Sequence, residues 1–173
     1  AETMSPCVLW IDEIEKGIVA DSNDGGTAKR VLGTLLTWMA ERRQAVFVVA
    51  TANAIQHLPP ELIRKGRLDE IFFVDLPKPT IREDIFAVHL EKRGYSADSF
   101  SLEVLAEESA GFTGAEIEQA IVAAGYTANA RDEALSTAHI VGELGNTVPL
   151  SITMSERIDA LRQWCKERAV PAD

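Results

Sequence analysis

The order of apolar and polar positions along the chain predicts two kinds of architecture in succession. Residues 7–11, Cys-Val-Leu-Trp-Ile, form an unbroken apolar run that ends in Asp12-Glu13. Residues 45–50, Ala-Val-Phe-Val-Val-Ala, form a second run, and residues 71–74, Ile-Phe-Phe-Val, a third. Short unbroken runs of this kind read as strands buried on both faces, the pattern of a parallel sheet. Between the first two, a polar, glycine-containing loop over 20–26 gives way to Ala28, Val31, Leu32, Leu35 and Met39 at helical spacing. Pro59-Pro60 precedes a short helix over 61–65, which Gly66 ends. Strand, helix, strand, helix, strand is the order of an α/β sheet.

Beyond Pro77 and Pro79 the period becomes helical and no further strand is expected. Thr80 with Glu83, and Thr113 with Glu116, stand at capping-box spacing, so each pair is expected to open a helix. Ile81, Ile85 and Val88 are predicted as the inner face of the first, and Ile117, Ile121, Ala124 and Ala128 as that of the second. Ser101 is expected to cap a short helix carrying Leu102 and Leu105, and a further short helix is read over 136–144. Ser155 begins the last, with Ile158, Leu161 and Cys165 turned inward. The expected division is an α/β part over residues 1–77 and a helical part over 80–173, with 77–79 between them.

Composition narrows the picture only modestly. A formal net charge of −10 argues against a broad nucleic-acid surface and for a soluble, cytoplasmic protein. No apolar run approaches the ~20 residues of a membrane-spanning helix, and no signal peptide or membrane association is expected. Cys7 and Cys165 lie in apolar surroundings without metal-ligand spacing and read as reduced thiols. Trp10, Trp38 and Trp164 read as packing residues, and His57, His89 and His139 have no partner at ligand spacing.

Candidate chemistry gathers at the strand ends. Ligands of open parallel sheets bind beyond the carboxyl ends of the strands. There Asp12 could associate with Mg²⁺, usually through a coordinated water, and Glu13 could orient or deprotonate an attacking water. Acidic residues also simply end strands. Asn53, just past the second run, could contact a γ-phosphate or the water, although asparagine is equally a turn former. Arg64 and Arg67 flank a helix end; they are either cations favoured by the helix dipole or guanidinium groups aimed at transferring phosphoryl charge.

Taken in order, these segments resemble the AAA+ ATPases, specifically the classical AAA clade. Residues 7–13 resemble the Walker B strand, residues 46–53 (Val-Phe-Val-Val-Ala-Thr-Ala-Asn) the sensor 1 strand, and residues 58–69 the second region of homology. Residues 111–117 (Gly-Phe-Thr-Gly-Ala-Glu-Ile) resemble the lid motif. The resemblance implies a metal-associated Asp12, a catalytic base at Glu13, a sensor at Asn53 and arginine fingers at Arg64 and Arg67. At the lid motif it implies Gly114 and Ala115 near the ribose and base of ATP, without a sensor 2 cation. It implies an α/β fold: a partial P-loop NTPase parallel sheet holding strands three to five of the core, followed by the α-helical lid. A finer resemblance, through residues 10–17, 35–39 and 147–151, is to the chloroplast open-reading-frame AAA proteins and their bacterial relatives.

No G-x-x-x-x-G-K-[ST] loop occurs, and the glycine cluster at 25–26 follows the Walker B segment rather than preceding it. The chain is therefore expected to be a C-terminal fragment of an ATP-hydrolysing protein, binding Mg²⁺ and ATP weakly or not at all and inactive alone. In the family's sheet order, five-one-four-three-two, the missing first strand would expose apolar faces, and self-association through this region is expected. The parent is expected to be a homo-oligomeric ring, a hexamer, acting on a protein or nucleic-acid substrate. The alternative is a nucleotide-dependent scaffold or regulatory protein without steady turnover.

Overall fold

In the computed structural model, residues 1–18, 25–64 and 66–172 are described; of the loop expected over 20–26, residues 20–24 lie outside them, as does Lys65, while residues 25–26 already belong to a helix. The chain divides into two compact units, Ala1–Ile71 and Phe72–Asp173.

In the first unit, strand β1 (Cys7–Ile11) pairs in parallel with β2 (Val46–Ala50), in a register that runs from Cys7 opposite Val46 to Ile11 opposite Ala50. Helices α1 (Ile14–Ile18) and α2 (Gly25–Glu41) follow β1, and the short α3 (Pro60–Ile63) follows β2. Proline supplies a helix-compatible φ at the start of α3 where no amide donor is needed. Ile14, Ile18, Met39, Leu58 and Leu62 form the core, with Ile11, Leu32, Leu35 and Ala50 packed against it.

The strands are not buried on both faces as their apolar runs suggest. Val8, Trp10 and Phe47 are 65%, 62% and 68% exposed, so one face of the pair carries the core and the other faces out. A continuous apolar run encodes two apolar faces, and α1 and α2 occupy one of them. Trp10 is therefore not a core residue. The helical spacing of α2 is similarly over-read at Val31, which is exposed.

Strand β3 shrinks to Phe72–Phe73 and pairs in parallel with β4 (Val170–Pro171), in a two-stranded sheet of its own rather than beside β1 and β2. The expectation that no strand follows Pro77 is corrected by β4. A two-residue strand carries no periodicity to read, and Pro171 suits an edge position. The Ala172 amide continues the ladder by donating to the Phe73 carbonyl at 3.0 Å.

The rest of the second unit is helical: α4 (Pro79–Glu91), α5 (Leu102–Glu108), α6 (Gly114–Ala130), α7 (Thr137–Gly145), α8 (Leu150–Thr153) and α9 (Ser155–Cys165). Their core comprises Phe86, Leu90, Leu105, Phe112, Ile117, Ile121, Ile140 and neighbours. The Thr80–Glu83 capping box does not form. Pro79 is already helical, which moves the N-cap of α4 to Lys78 and puts Thr80 past it. The inner face of α4 is also displaced. Arg82, Phe86 and Leu90, spaced four apart, are buried, while Ile81 and Val88 are exposed. Arg82 can be buried because its Nε donates to the Ala106 carbonyl at 2.9 Å and its guanidinium to the Pro77 carbonyl at 2.7 Å. No helix among the described residues is long and apolar enough to cross a membrane.

One ion pair holds α9 to the segment after β3. Arg162 presents Nε to both oxygens of Asp75, at 3.1 and 2.9 Å, and a terminal nitrogen to Oδ1 at 2.8 Å. Partial burial pushes the Asp75 carboxyl up, but the guanidinium and the Leu76 amide outweigh it and hold its pKa below the usual value. A depressed acid stabilises the fold above its unfolded pKa and loses that contribution as pH falls through the folded one. Arg162→Leu is therefore expected to lower the melting temperature at neutral pH, with the gap to wild type closing as pH falls below 3.8, the ordinary aspartate value. Thermal melts across that range check this.

Candidate active site

The parallel pairing of β1 and β2 brings both chain exits to the same end of the sheet. Ile11 and Ala50 are register partners. The next residues, Asp12 and Thr51, leave side by side, and the backbone ladder continues past the strands: the Thr51 amide donates to Ile11, and the Ile14 amide to Thr51, each at 2.9 Å.

On this frame the polar side chains interlock. The Thr51 hydroxyl donates to Asp12 Oδ1 at 2.5 Å and accepts from the Glu13 amide at 3.0 Å. Asn53 Nδ2 donates to Glu13 Oε1 at 2.9 Å. The Asn53 amide donates in turn to Glu15 Oε1, also at 2.9 Å. Lys16 Nζ bonds Glu13 Oε2, and this carboxylate raises the lysine pKa above its usual value. Glu13 adopts φ +48, a left-handed conformation unusual for a residue with a Cβ. Its backbone is turned so that the side chain meets Asn53 from 40 residues away in sequence.

Asp12, Glu13 and Asn53, singled out separately in the sequence, are thus brought into one cluster. Arg64 and Arg67 stand at the other end of α3. Arg64 is exposed where the chain leaves the helix, and Gly66 follows with φ +94, which favours glycine. Arg67 donates to the Glu61 carbonyl at 3.0 Å, so one of its donors serves the helix end. Gly114 and Ala115 begin α6 in the second unit, behind a complete capping box: Thr113 receives the Glu116 amide at 3.3 Å and Glu116 the Thr113 amide at 2.8 Å. Gly111, just before this box, has φ +83, and a Cβ there would lie 2.5 Å from the Ser151 hydroxyl.

Three participants escape a reading of motifs. Thr51, Glu15 and Lys16 carry no signal as isolated residues. Thr51 could have been found from strand register alone, because pairing Ile11 with Ala50 sets it beside Asp12. Glu15 is 7% exposed and its Oε2 has no hydrogen-bond partner among the described residues. A cavity of about 840 Å³ beside Arg30, Thr37, Trp38 and Arg42 is lined by none of these residues.

The donor set suits a hydrated Mg²⁺ rather than a metal caged by protein. Asp12 is an exposed hard oxygen ligand, and no cluster of three or more metal-binding side chains occurs among the described residues. Mg²⁺ is commonly held in this way, through one or two carboxylates with waters and substrate phosphates filling the shell.

Comparison with known proteins gives a likeness of family and of fold. The profile described as ATPase family associated with various cellular activities (AAA) matches residues 1–76. The AAA domain-containing protein ycf46 of Guillardia theta is 48% identical over 167 residues, covering 95% of this chain and 33% of that protein. The chain thus spans about a third of the length of such curated relatives. Among solved structures, the FIGL-1 AAA domain superposes with a TM-score of 0.78 at 19% identity, covering 98% of this chain and 59% of that one. The same domain solved in complex with ADP gives 0.76 at 20% identity, with 98% and 60% coverage. At that identity the likeness is one of fold: an α/β and helical AAA architecture, present here in part.

The role of Glu15 in this lattice is open to a stability measurement. Glu15→Gln keeps an oxygen for the Asn53 amide, whereas Glu15→Met removes the acceptor that Glu15 supplies. Denaturant melts are expected to find the Met variant less stable than the Gln variant by about 0.5–1.5 kcal/mol, the net contribution of one hydrogen bond.

Proposed function

The chain belongs to the AAA family of ATPases, and from that premise we propose that it supplies the hydrolysis side of an ATP site. The observation that carries this reading is the hydrogen bond from Asn53 Nδ2 to Glu13 Oε1 across the ends of adjacent parallel strands. It leaves a carboxylate oriented by an amide at the position where such sheets receive ligands.

In this reading Glu13 takes the proton of a water whose oxygen attacks the γ-phosphorus of ATP, while the bond to the leaving ADP oxygen breaks with its electron pair. Asn53 fixes the orientation of that carboxylate through Oε1. Asp12 would hold Mg²⁺ through its hydration shell, and the ion supplies neutralisation of phosphate charge when bound. Gly114 and Ala115 would border the ribose and base. Arg64 and Arg67 would present charge to the nucleotide of a neighbouring copy in a ring, a hexamer, that remodels a protein or nucleic-acid substrate.

Residues 1–173 contain no Walker A sequence, so these groups need a phosphate cradle from elsewhere. Calorimetric titration of this chain with Mg·ATP is expected to show binding weaker than micromolar and no turnover; tight binding would overturn the division of labour. In the full-length protein carrying this segment, Glu13→Gln is expected to reduce ATP turnover by about 10²–10⁴-fold, the usual contribution of a positioned base. Turnover at the wild-type rate in Glu13→Gln would reject Glu13 as the base, whereas absence of steady turnover in the wild-type protein would favour the scaffold reading.

Self-association belongs to the same proposal. The exposed Val8, Trp10 and Phe47 form an apolar face that a second copy can cover. Light scattering at high concentration is expected to report oligomers for this chain and a shift toward monomer for Trp10→Lys.

A further inference from the structure

The Thr51 hydroxyl touches both acidic residues of the proposed site. It donates to Asp12 Oδ1 at 2.5 Å and accepts from the Glu13 backbone amide at 3.0 Å. Its backbone is independently fixed, since the Thr51 amide donates to Ile11 and its carbonyl accepts from Ile14, each at 2.9 Å. Substituting the side chain therefore changes the hydroxyl contacts while leaving the ladder that sets the register.

The two bonds have different consequences. The bond to Asp12 occupies one carboxylate oxygen and fixes the direction of the other. The bond from Glu13 satisfies an amide on a residue that stands at φ +48, where a side chain is tolerated only if its surroundings hold it. Residues one step removed from a ligand commonly set its orientation in this way. We propose that Thr51 is a positioning residue that sets the metal-associated carboxylate of Asp12 and the backbone of the base Glu13 through one hydroxyl. This inference rests on the roles proposed for those two residues.

Thr51→Val keeps the branched shape and removes the hydroxyl, whereas Thr51→Ser keeps the hydroxyl and removes the methyl group. In the full-length protein carrying this segment, Thr51→Val is expected to lower kcat by about 10- to 100-fold, the range typical for residues that orient a metal ligand. The KM for ATP should change little, the Mg²⁺ concentration for half-maximal rate should rise, and Thr51→Ser should restore most of the turnover. A readout independent of activity comes from the nucleotide-free 173-residue chain. There the Glu13 amide is expected to exchange with solvent faster in Thr51→Val than in wild type or Thr51→Ser. If Thr51→Val fails to fold, Thr51→Ala serves in its place.

Glu13→Gln, run in parallel, separates the two ideas. Wild-type kcat in Thr51→Val beside an inactive Glu13→Gln would overturn the role of Thr51 and leave Glu13 as the base. An active Glu13→Gln would bring down the reading of the site and the positioning role with it. Loss of turnover in Thr51→Ser equal to that in Thr51→Val would show that the hydroxyl is not the cause.

Discussion

The parallel pairing of Ile11 with Ala50 is the constraint on which the first unit depends. It puts two chain exits at one sheet end and fixes which residues can meet there. A slip by one residue would reverse the faces of every side chain on one strand. Ile11 or Ala50 would leave the core beside α1 and α2, and the Thr51 hydroxyl would lose its place against Asp12. Core packing and site geometry are therefore set by the same backbone ladder, and the apolar cost of a slip protects the polar arrangement.

Beyond the ladder, five acidic or polar residues, Asp12, Glu13, Glu15, Thr51 and Asn53, interlock with one lysine. Glu13 alone is engaged by Asn53, Lys16 and the Thr51 hydroxyl, the last through its backbone. Such closure matters because the residue carries an unfavourable φ. Left-handed backbone at a non-glycine position costs about 1–3 kcal/mol and persists only where neighbours impose it. The amide bonds of Glu13 and Ile14 to Thr51 are those neighbours.

Legibility in the sequence followed the length and regularity of the signal. β1 and β2 were readable from unbroken apolar runs, and α6 from a four-residue stripe behind a capping box that forms as spaced. That Asp12, Glu13 and Asn53 lie together was readable because they follow the ends of two apolar runs that pair in parallel. Features that depend on a competing local choice were not. Pro79 claimed the first helical position and left Thr80 without a cap to make. Arg82 took a buried position on α4 because two backbone carbonyls receive it, which no hydropathy pattern encodes. The exposure of Val8, Trp10 and Phe47 also lay outside the pattern, since an apolar run states what could be covered and not what covers it.

The buried carboxylate of Glu15 makes the same point from the other side. A charged group 7% exposed is costly to desolvate, and only one of its oxygens is bonded, to the Asn53 amide. An apolar residue at this position would fit the α1 core with Ile14 and Ile18 at lower desolvation cost, but it would remove the Glu15 bond to the backbone that carries the Asn53 side chain. The bond from Asn53 to Glu13 requires that backbone to be held, because its donor sits at the end of a short side chain with little reach of its own. Retaining an acid in the core is thus consistent with a segment whose polar geometry outweighs local stability. That balance is the one expected where strain and unsatisfied polarity gather at a functional site.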